Sequence, residues 1–231
     1  IPIVTTFAVF SLRAIEQCRL SVACQNQNVK IVASHPGLDV GPDGASAQCL
    51  EDIAMYRAIP NMTVIVPSDP IEMEKATAAI IEHDGPVYMR TGRSGAPTFQ
   101  SSDMTFTIGK AQILRDGTDV TIFAMGVMVA RALRAAETLS QRNIDAAVIN
   151  ISTVKPLDVD TVTQFASRTG AVVTAEDHNV IGGLGSCIAE ALAQHSPAPM
   201  EMVGVKDSFG QSGSPDELAS HFQIDEQSIV N

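Results

Sequence analysis

Four short segments of this 231-residue chain gather side chains that can bind a ligand or move a proton. The first, Thr5-Thr6-Phe7-Ala8-Val9-Phe10-Ser11-Leu12-Arg13, sets two aromatics and a guanidinium at the end of a run with strand character. Open α/β sheets place ligands beyond strand carboxyl ends, and phenyl rings there can stack on a flat heterocycle. Equally, Phe7 and Phe10 can be core residues and Arg13 a solvated side chain. The second, Ser34 through Ser46, holds His35, Gly37, Asp39, Gly41, Asp43 and Gly44 in an irregular loop before a helical pattern at Ala47–Ala58. Backbone amides of such a loop and the following helix N-terminus can receive anions. His35 can exchange protons near neutral pH, although a lone loop histidine also fits a structural role. In the third, Met89-Arg90-Thr91-Gly92-Arg93, two arginines suit phosphate or carboxylate recognition, with ion pairs to the chain's many acids as the alternative. The fourth, Thr174 through Ser186, has Glu176-Asp177-His178 before Gly182, Gly183 and Gly185. It is neither a dinucleotide nor a Walker motif, and its glycines can simply permit tight geometry before a helix at Ser186–Gln194.

Elements that could position these segments alternate along the chain. Val4–Val9, Val29–Ala33, Thr63–Val66 and Val87–Arg90 read as strands, as do Val120–Ala124, Ala146–Ile149 and Val172–Thr174. Several are apolar at consecutive positions, which predicts strands covered on both faces. Asp69-Pro70-Ile71-Glu72 predicts a capped helix start with a capping box, and Ser214-Pro215-Asp216-Glu217 repeats it. Val129, Leu133, Ala136 and Leu139 lie at helical spacing and predict a helix covering one sheet face. The rhythm predicts α/β architecture with two domains, each a mostly parallel sheet flanked by helices. The Gly-, Pro- and Ser-rich stretch Thr91–Phe106 marks the boundary, giving domains at residues 1–105 and 106–231.

Composition narrows the function classes. A net charge of −11 argues against nucleic-acid partners. No apolar run approaches the roughly 18–20 residues of a membrane span, and the first ten residues lack a basic leader. Cys18, Cys24, Cys49 and Cys187 show no metal-ligand spacing and are expected to be free, buried thiols in a reducing cytoplasm.

The order of several runs resembles the second half of the transketolase family. The likeness extends from Thr5 to about Gly213. It rests on Thr6-Phe7-Ala8-Val9-Phe10, on Gly41-Pro42-Asp43-Gly44-Ala45-Ser46 followed by Glu51-Asp52-Ile53-Ala54, and on Arg57-Ala58-Ile59-Pro60-Asn61-Met62. Val64-Ile65-Val66-Pro67-Ser68-Asp69 continues it, and Glu176-Asp177-His178 with Gly182-Gly183-Leu184-Gly185 supplies the C-terminal signature.

The resemblance implies a pyrimidine-binding domain followed by a transketolase C-terminal domain. It further implies thiamine diphosphate with Mg2+, whose phosphates and metal are held mainly by a partner subunit carrying the family's Gly-Asp-Gly motif, absent here. The expected assembly is a dimer or heterotetramer with that N-terminal subunit, active on sugar phosphates. Phe7, Phe10 and Arg13 match cofactor-side positions, His35 and Asp43 groups facing the donor's hydroxyls, and Arg93 the sugar-phosphate arginine. Two departures stand out. The family's second histidine falls at Ala47, and its glutamate for the pyrimidine ring is expected upstream of Ile1, which implies an N-terminally incomplete domain. A deoxyxylulose-phosphate synthase-like enzyme, a two-oxoacid dehydrogenase beta-type subunit and a non-catalytic assembly partner share the architecture.

Overall fold

Runs that are apolar on both faces become the interior strands of two five-stranded sheets in the computed structural model, which describes residues 1–231. In the first sheet β1 (Ile3–Phe7), β2 (Lys30–Ser34), β3 (Thr63–Ile65) and β4 (Val87–Thr91) run parallel in the order β1-β2-β4-β3. The second is built from β5 (Gln112–Arg115), β6 (Val120–Ala124), β7 (Ala146–Asn150), β9 (Val172–Asn179) and β10 (Met200–Val205). Its order is β10-β9-β6-β7-β5, parallel except for β5.

β8 (Thr153–Lys155) crosses between them. It follows β7 in the chain yet pairs antiparallel with β3, Val64 opposite Lys155. Lys155 also donates from Nζ to the carbonyls of Arg57 (3.0 Å) and Ile59 (2.5 Å), where the helix Asp52–Arg57 ends. Cations favour helix C-termini, where carbonyls lack intrahelical partners. A single apolar cluster therefore takes Ile53, Tyr56 and Val64 from before residue 105 and Phe123, Ile149 and Leu184 from after it.

The sequence predicts seven of the ten strands. It does not predict β5, β8 and β10, each of which sits at a sheet edge; β5 and β10 are partly solvated and need no continuous apolar run, while β8 is only three residues long. The helix Met128–Gln141 buries Val129, Ala136 and Leu139 against β6 and β7, as its spacing requires. The helix Pro70–Glu82 starts where expected, Asp69 accepting from the Glu72 amide at 2.8 Å. The capping box does not close there. The Glu72 carboxylate instead accepts from the Ser68 amide (2.7 Å) and from Asn150 Nδ2 (2.9 Å), so it ties β7's end to the first sheet. The box at Ser214 and Glu217 does form. Cys18, Cys49 and Cys187 are buried thiols, but Cys24 is exposed rather than buried. No helix is long and apolar enough to cross a membrane.

Candidate functional site

Parallel pairing places Phe7 opposite Ser34 and Ser34 opposite Thr91, so β1, β2 and β4 deliver their carboxyl ends side by side. After β1 the chain turns at once into the helical turn Ala8–Ser11, which returns Phe10 to Phe7 with ring centroids 5.5 Å apart and planes 7° apart. The His35 ring lies parallel to Phe7 at 3.7 Å. Phe10 is 53% exposed, an unusual amount for a phenyl ring, and so presents apolar surface outward. His35 has φ +58°, a left-handed conformation that non-glycine residues adopt at some cost. Its Nδ1 lies 3.0 Å from Ser34 Oγ.

Beyond His35 the chain forms the 3-10 turn Leu38–Asp43. Arg93, on the loop after β4, reaches across to this turn. Its Nη2 is 3.4 Å from Asp43 Oδ1, and Nη1 donates to the Val40 carbonyl. Ser94 adds a second tie, its amide donating to Asp39 Oδ2 at 3.0 Å. The Arg93 and Asp43 side chains remain 35% and 38% exposed, so their attraction contributes about 0–1 kcal/mol and leaves both groups available to a ligand. Ala47 is half-buried just past this turn. Phe7, Phe10 and His35 thus form one group, with Asp43 and Arg93 a second on the loops that follow β2 and β4. Arg13 is exposed and makes no ion pair, and nothing in the structure joins it to either group.

Arg90, the other arginine of the third segment, points inward. Its Nε donates to Asp52 Oδ2 at 2.8 Å, Nη2 donates to Asp52 Oδ1, and Nη1 donates to the Asp177 carbonyl at 3.0 Å. The Tyr88 hydroxyl also donates to Asp52. Burial would raise the Asp52 carboxyl, yet the charge and bonds of Arg90 bring it below the usual carboxylate range. Burial pushes the Tyr88 phenol well above its usual value. Glu176, pushed up to about 7 by burial, accepts from the amides of Leu184 (2.7 Å) and Gly185 (2.8 Å) at the start of the helix Leu184–His195. That packing explains Gly183, where a Cβ would fall 2.0 Å from Glu176 Oε2. His178 is fully buried and held down to about 4 by burial. It stays neutral, accepting the Ala54 amide at Nε2 (3.4 Å) while Nδ1 lies 2.6 Å from the Asn179 carbonyl. The acids and histidine of the fourth segment are therefore packed beneath the strand ends.

Asp39, a member of the second segment to which the sequence assigned no role, borders two cavities at the junction of the sheets. One encloses about 330 Å³ between Asp39, Ser94, Arg131, Arg134 and Ser214. No three His, Cys, Asp or Glu side chains converge as a metal site would require. The exposed Phe10 ring beside Phe7 does fit the flat, apolar face of a pyrimidine.

Comparison with known proteins agrees with this architecture. The profile described as "Transketolase, pyrimidine binding domain" matches residues 1–98, and "Transketolase, C-terminal domain" matches residues 109–229. The chain belongs to the transketolase family. Among its relatives, a 6-deoxy-6-sulfo-D-fructose transketolase subunit of Clostridium sp. (strain MSTE9) is 46% identical over 231 residues, all of this chain and 72% of that protein. An apulose-4-phosphate transketolase subunit of Phocaeicola vulgatus is 35% identical over 218 residues, 94% of this chain and 70% of that one. A solved structure described as a split-gene transketolase in an inactive β4 tetramer superposes with TM-score 0.94 at 44% identity, covering 100% of this chain and 74% of that one.

Proposed function

We propose that this chain is the C-terminal subunit of a thiamine-diphosphate-dependent transketolase that moves a two-carbon ketol unit between phosphorylated sugars. The observation that carries the reading is the pairing of a parallel aromatic group, Phe7, Phe10 and His35, with the accessible Asp43–Arg93 pair on the loops that follow β2 and β4. In this reading residues 1–105 hold the aminopyrimidine, residues 106–231 support assembly, and a partner subunit holds the diphosphate and Mg2+. The subunits named among the relatives, and the inactive tetramer of the solved neighbour, support a chain that self-associates but needs that partner for turnover. Four thiols without disulfide partners suit the cytoplasm.

Each residue then has a defined task. Phe7 and Phe10 hold one face of the aminopyrimidine and exclude water from it. His35 holds or passes a proton at a donor hydroxyl, and Asp43 accepts a hydrogen bond from another. Arg93 pairs with the substrate's phosphate, for which a planar guanidinium is suited. The cofactor, when bound, supplies the electron sink for carbon–carbon cleavage. Ala47 offers no hydrogen bond where the family has a second histidine, which points to a donor handled differently on that side.

Reconstitution with the diphosphate-domain subunit tests the reading. The complex should bind thiamine diphosphate with Mg2+ in calorimetry and turn over xylulose 5-phosphate with ribose 5-phosphate, while the single chain binds the cofactor weakly. Tight stoichiometric binding by the chain alone, or turnover only of pyruvate with glyceraldehyde 3-phosphate, would overturn it.

A further inference from the structure

The turn that presents Asp39 and Asp43 is not held by its own neighbours alone. At its start, the Leu38 amide donates to Asp177 Oδ1 at 2.8 Å and the Asp39 amide to Asp177 Oδ2 at 3.3 Å. Asp177 comes from β9 in the second sheet, 138 residues further along than Asp39. The carboxylate occupies the space that a side chain at residue 37 would fill, because a Cβ on Gly37 would lie 2.1 Å from Asp177 Oδ2. Gly37 has φ +70°, the left-handed geometry that aims the two following amides at the carboxylate. Asp177 is itself anchored, since its carbonyl accepts from Arg90 Nη1 and Arg90 is locked to Asp52.

From this geometry we infer that Asp177 is a positioning residue for the donor-sugar site, fixing from the C-terminal half the turn that carries Asp43 toward Arg93. The inference rests on the transketolase reading for its consequence in turnover, but not for its structural content. Two arguments separate it from simple packing. Both carboxylate oxygens are spent on consecutive amides of this one turn and on no other group. Further along the turn, Gln48 Nε2 donates a buried bond to the Gly41 carbonyl at 3.2 Å and Arg93 a part-buried one to the Val40 carbonyl. The side-chain ties Arg93–Asp43 and Ser94–Asp39 are solvent-exposed, and exposed pairs hold geometry far less firmly than buried charge-assisted bonds. Burial raises the Asp177 carboxyl, opposed by the Leu38 amide and the Arg90 charge. Losing those amides would therefore leave a costly uncompensated group, so turn and carboxylate hold each other in place.

Two measurements on Asp177→Asn and Asp177→Ala test this. Amide hydrogen exchange of residues 37–44 should rise in the order wild type, Asn, Ala, by about tenfold or more for Ala, while β6 and β7 keep their protection. In the reconstituted complex, Asp177→Asn should raise KM for the ketose donor about tenfold with kcat changed less than about threefold. Thiamine diphosphate affinity should hold, because Phe7 and Phe10 lie off this turn. A purely structural role would instead lower the active fraction, hence kcat, and leave KM alone. Gly37→Ala, which pushes on the carboxylate from the other side, should reproduce the exchange and KM changes of Asp177→Asn. Unchanged exchange at residues 37–44, or exchange rising evenly through the second sheet with KM constant, would overturn the inference. If the wild-type complex transferred no ketol unit, the functional reading would fall while exchange still decided the role of Asp177.

Discussion

Arg90 and Arg93 stand three residues apart and look interchangeable in the sequence, yet they lie in opposite physical regimes. Arg90 is 5% exposed and bound to a fully buried Asp52, with Tyr88 and the Asp177 carbonyl satisfying what remains. Arg93 reaches over the surface to Asp43 and Val40. β4 ends at Thr91, and Gly92 then releases the chain into a loop, so one arginine faces the protein and the other faces solvent. Charge alone does not mark a ligand-binding arginine; what counts is whether a buried partner already consumes its donors.

The largest test of that contrast is stability. Arg90→Ala leaves Asp52 buried without its partner and is expected to cost about 3–5 kcal/mol, read as a lower midpoint in urea unfolding with little change in slope. Next comes the pH response of the buried network. An exposed histidine in the unfolded chain takes a proton near pH 6.5, whereas His178 resists until about 4. The unfolded state then binds more protons between those values, so this contribution to stability is lost as pH falls through 6.5 toward 4, by about 3 kcal/mol in all. Glu176, raised to about 7, acts in the opposite sense between roughly 4.5 and 7. Comparing wild type with His178→Gln across pH 7 to 4 isolates the histidine: the difference in unfolding free energy should change by about that amount.

Arg93→Ala is expected to leave stability within about 0.5 kcal/mol. It should nevertheless raise KM for the phosphorylated sugar about tenfold, or 1.4 kcal/mol, in steady-state assays of the reconstituted complex. A stability loss as large as that of Arg90→Ala would erase the distinction between the two arginines. The smallest effect is expected from Ala47→His, which restores a proton donor beside the turn and should raise ketol-transfer kcat/KM about threefold, about 0.6 kcal/mol. An unchanged rate would remove the role assigned to that position.

The sequence made the interior of both sheets legible because burial on two faces writes itself as unbroken apolar runs. Val120–Ala124 is the clearest, with expected and observed bounds identical. Edge strands such as Met200–Val205, with Glu201 and Gly204 inside, carry no such signature. The helix expected at Ala47–Ala58 begins only at Asp52, because Cys49 is drawn into a bridge with Gly37. In the site, Phe7, Phe10, His35, Asp43 and Arg93 could be selected by residue type, and motif resemblance gave them roles. Asp52 and Asp177 fall in runs that carry the resemblance, yet neither could be given a role from the sequence. An acid with a tertiary partner reads, in one dimension, like any solvated surface acid, and only folding reveals that its solvent has been replaced by a guanidinium or by backbone amides.

The crossing of β8 has a practical consequence for anyone dissecting the gene. A product stopped at Thr105 would lack both the strand that closes the β3 edge and the lysine that holds the end of the helix Asp52–Arg57. Its bare row of amides would invite edge-to-edge aggregation. The two sequence modules thus share a sheet, since its last strand comes from beyond residue 105.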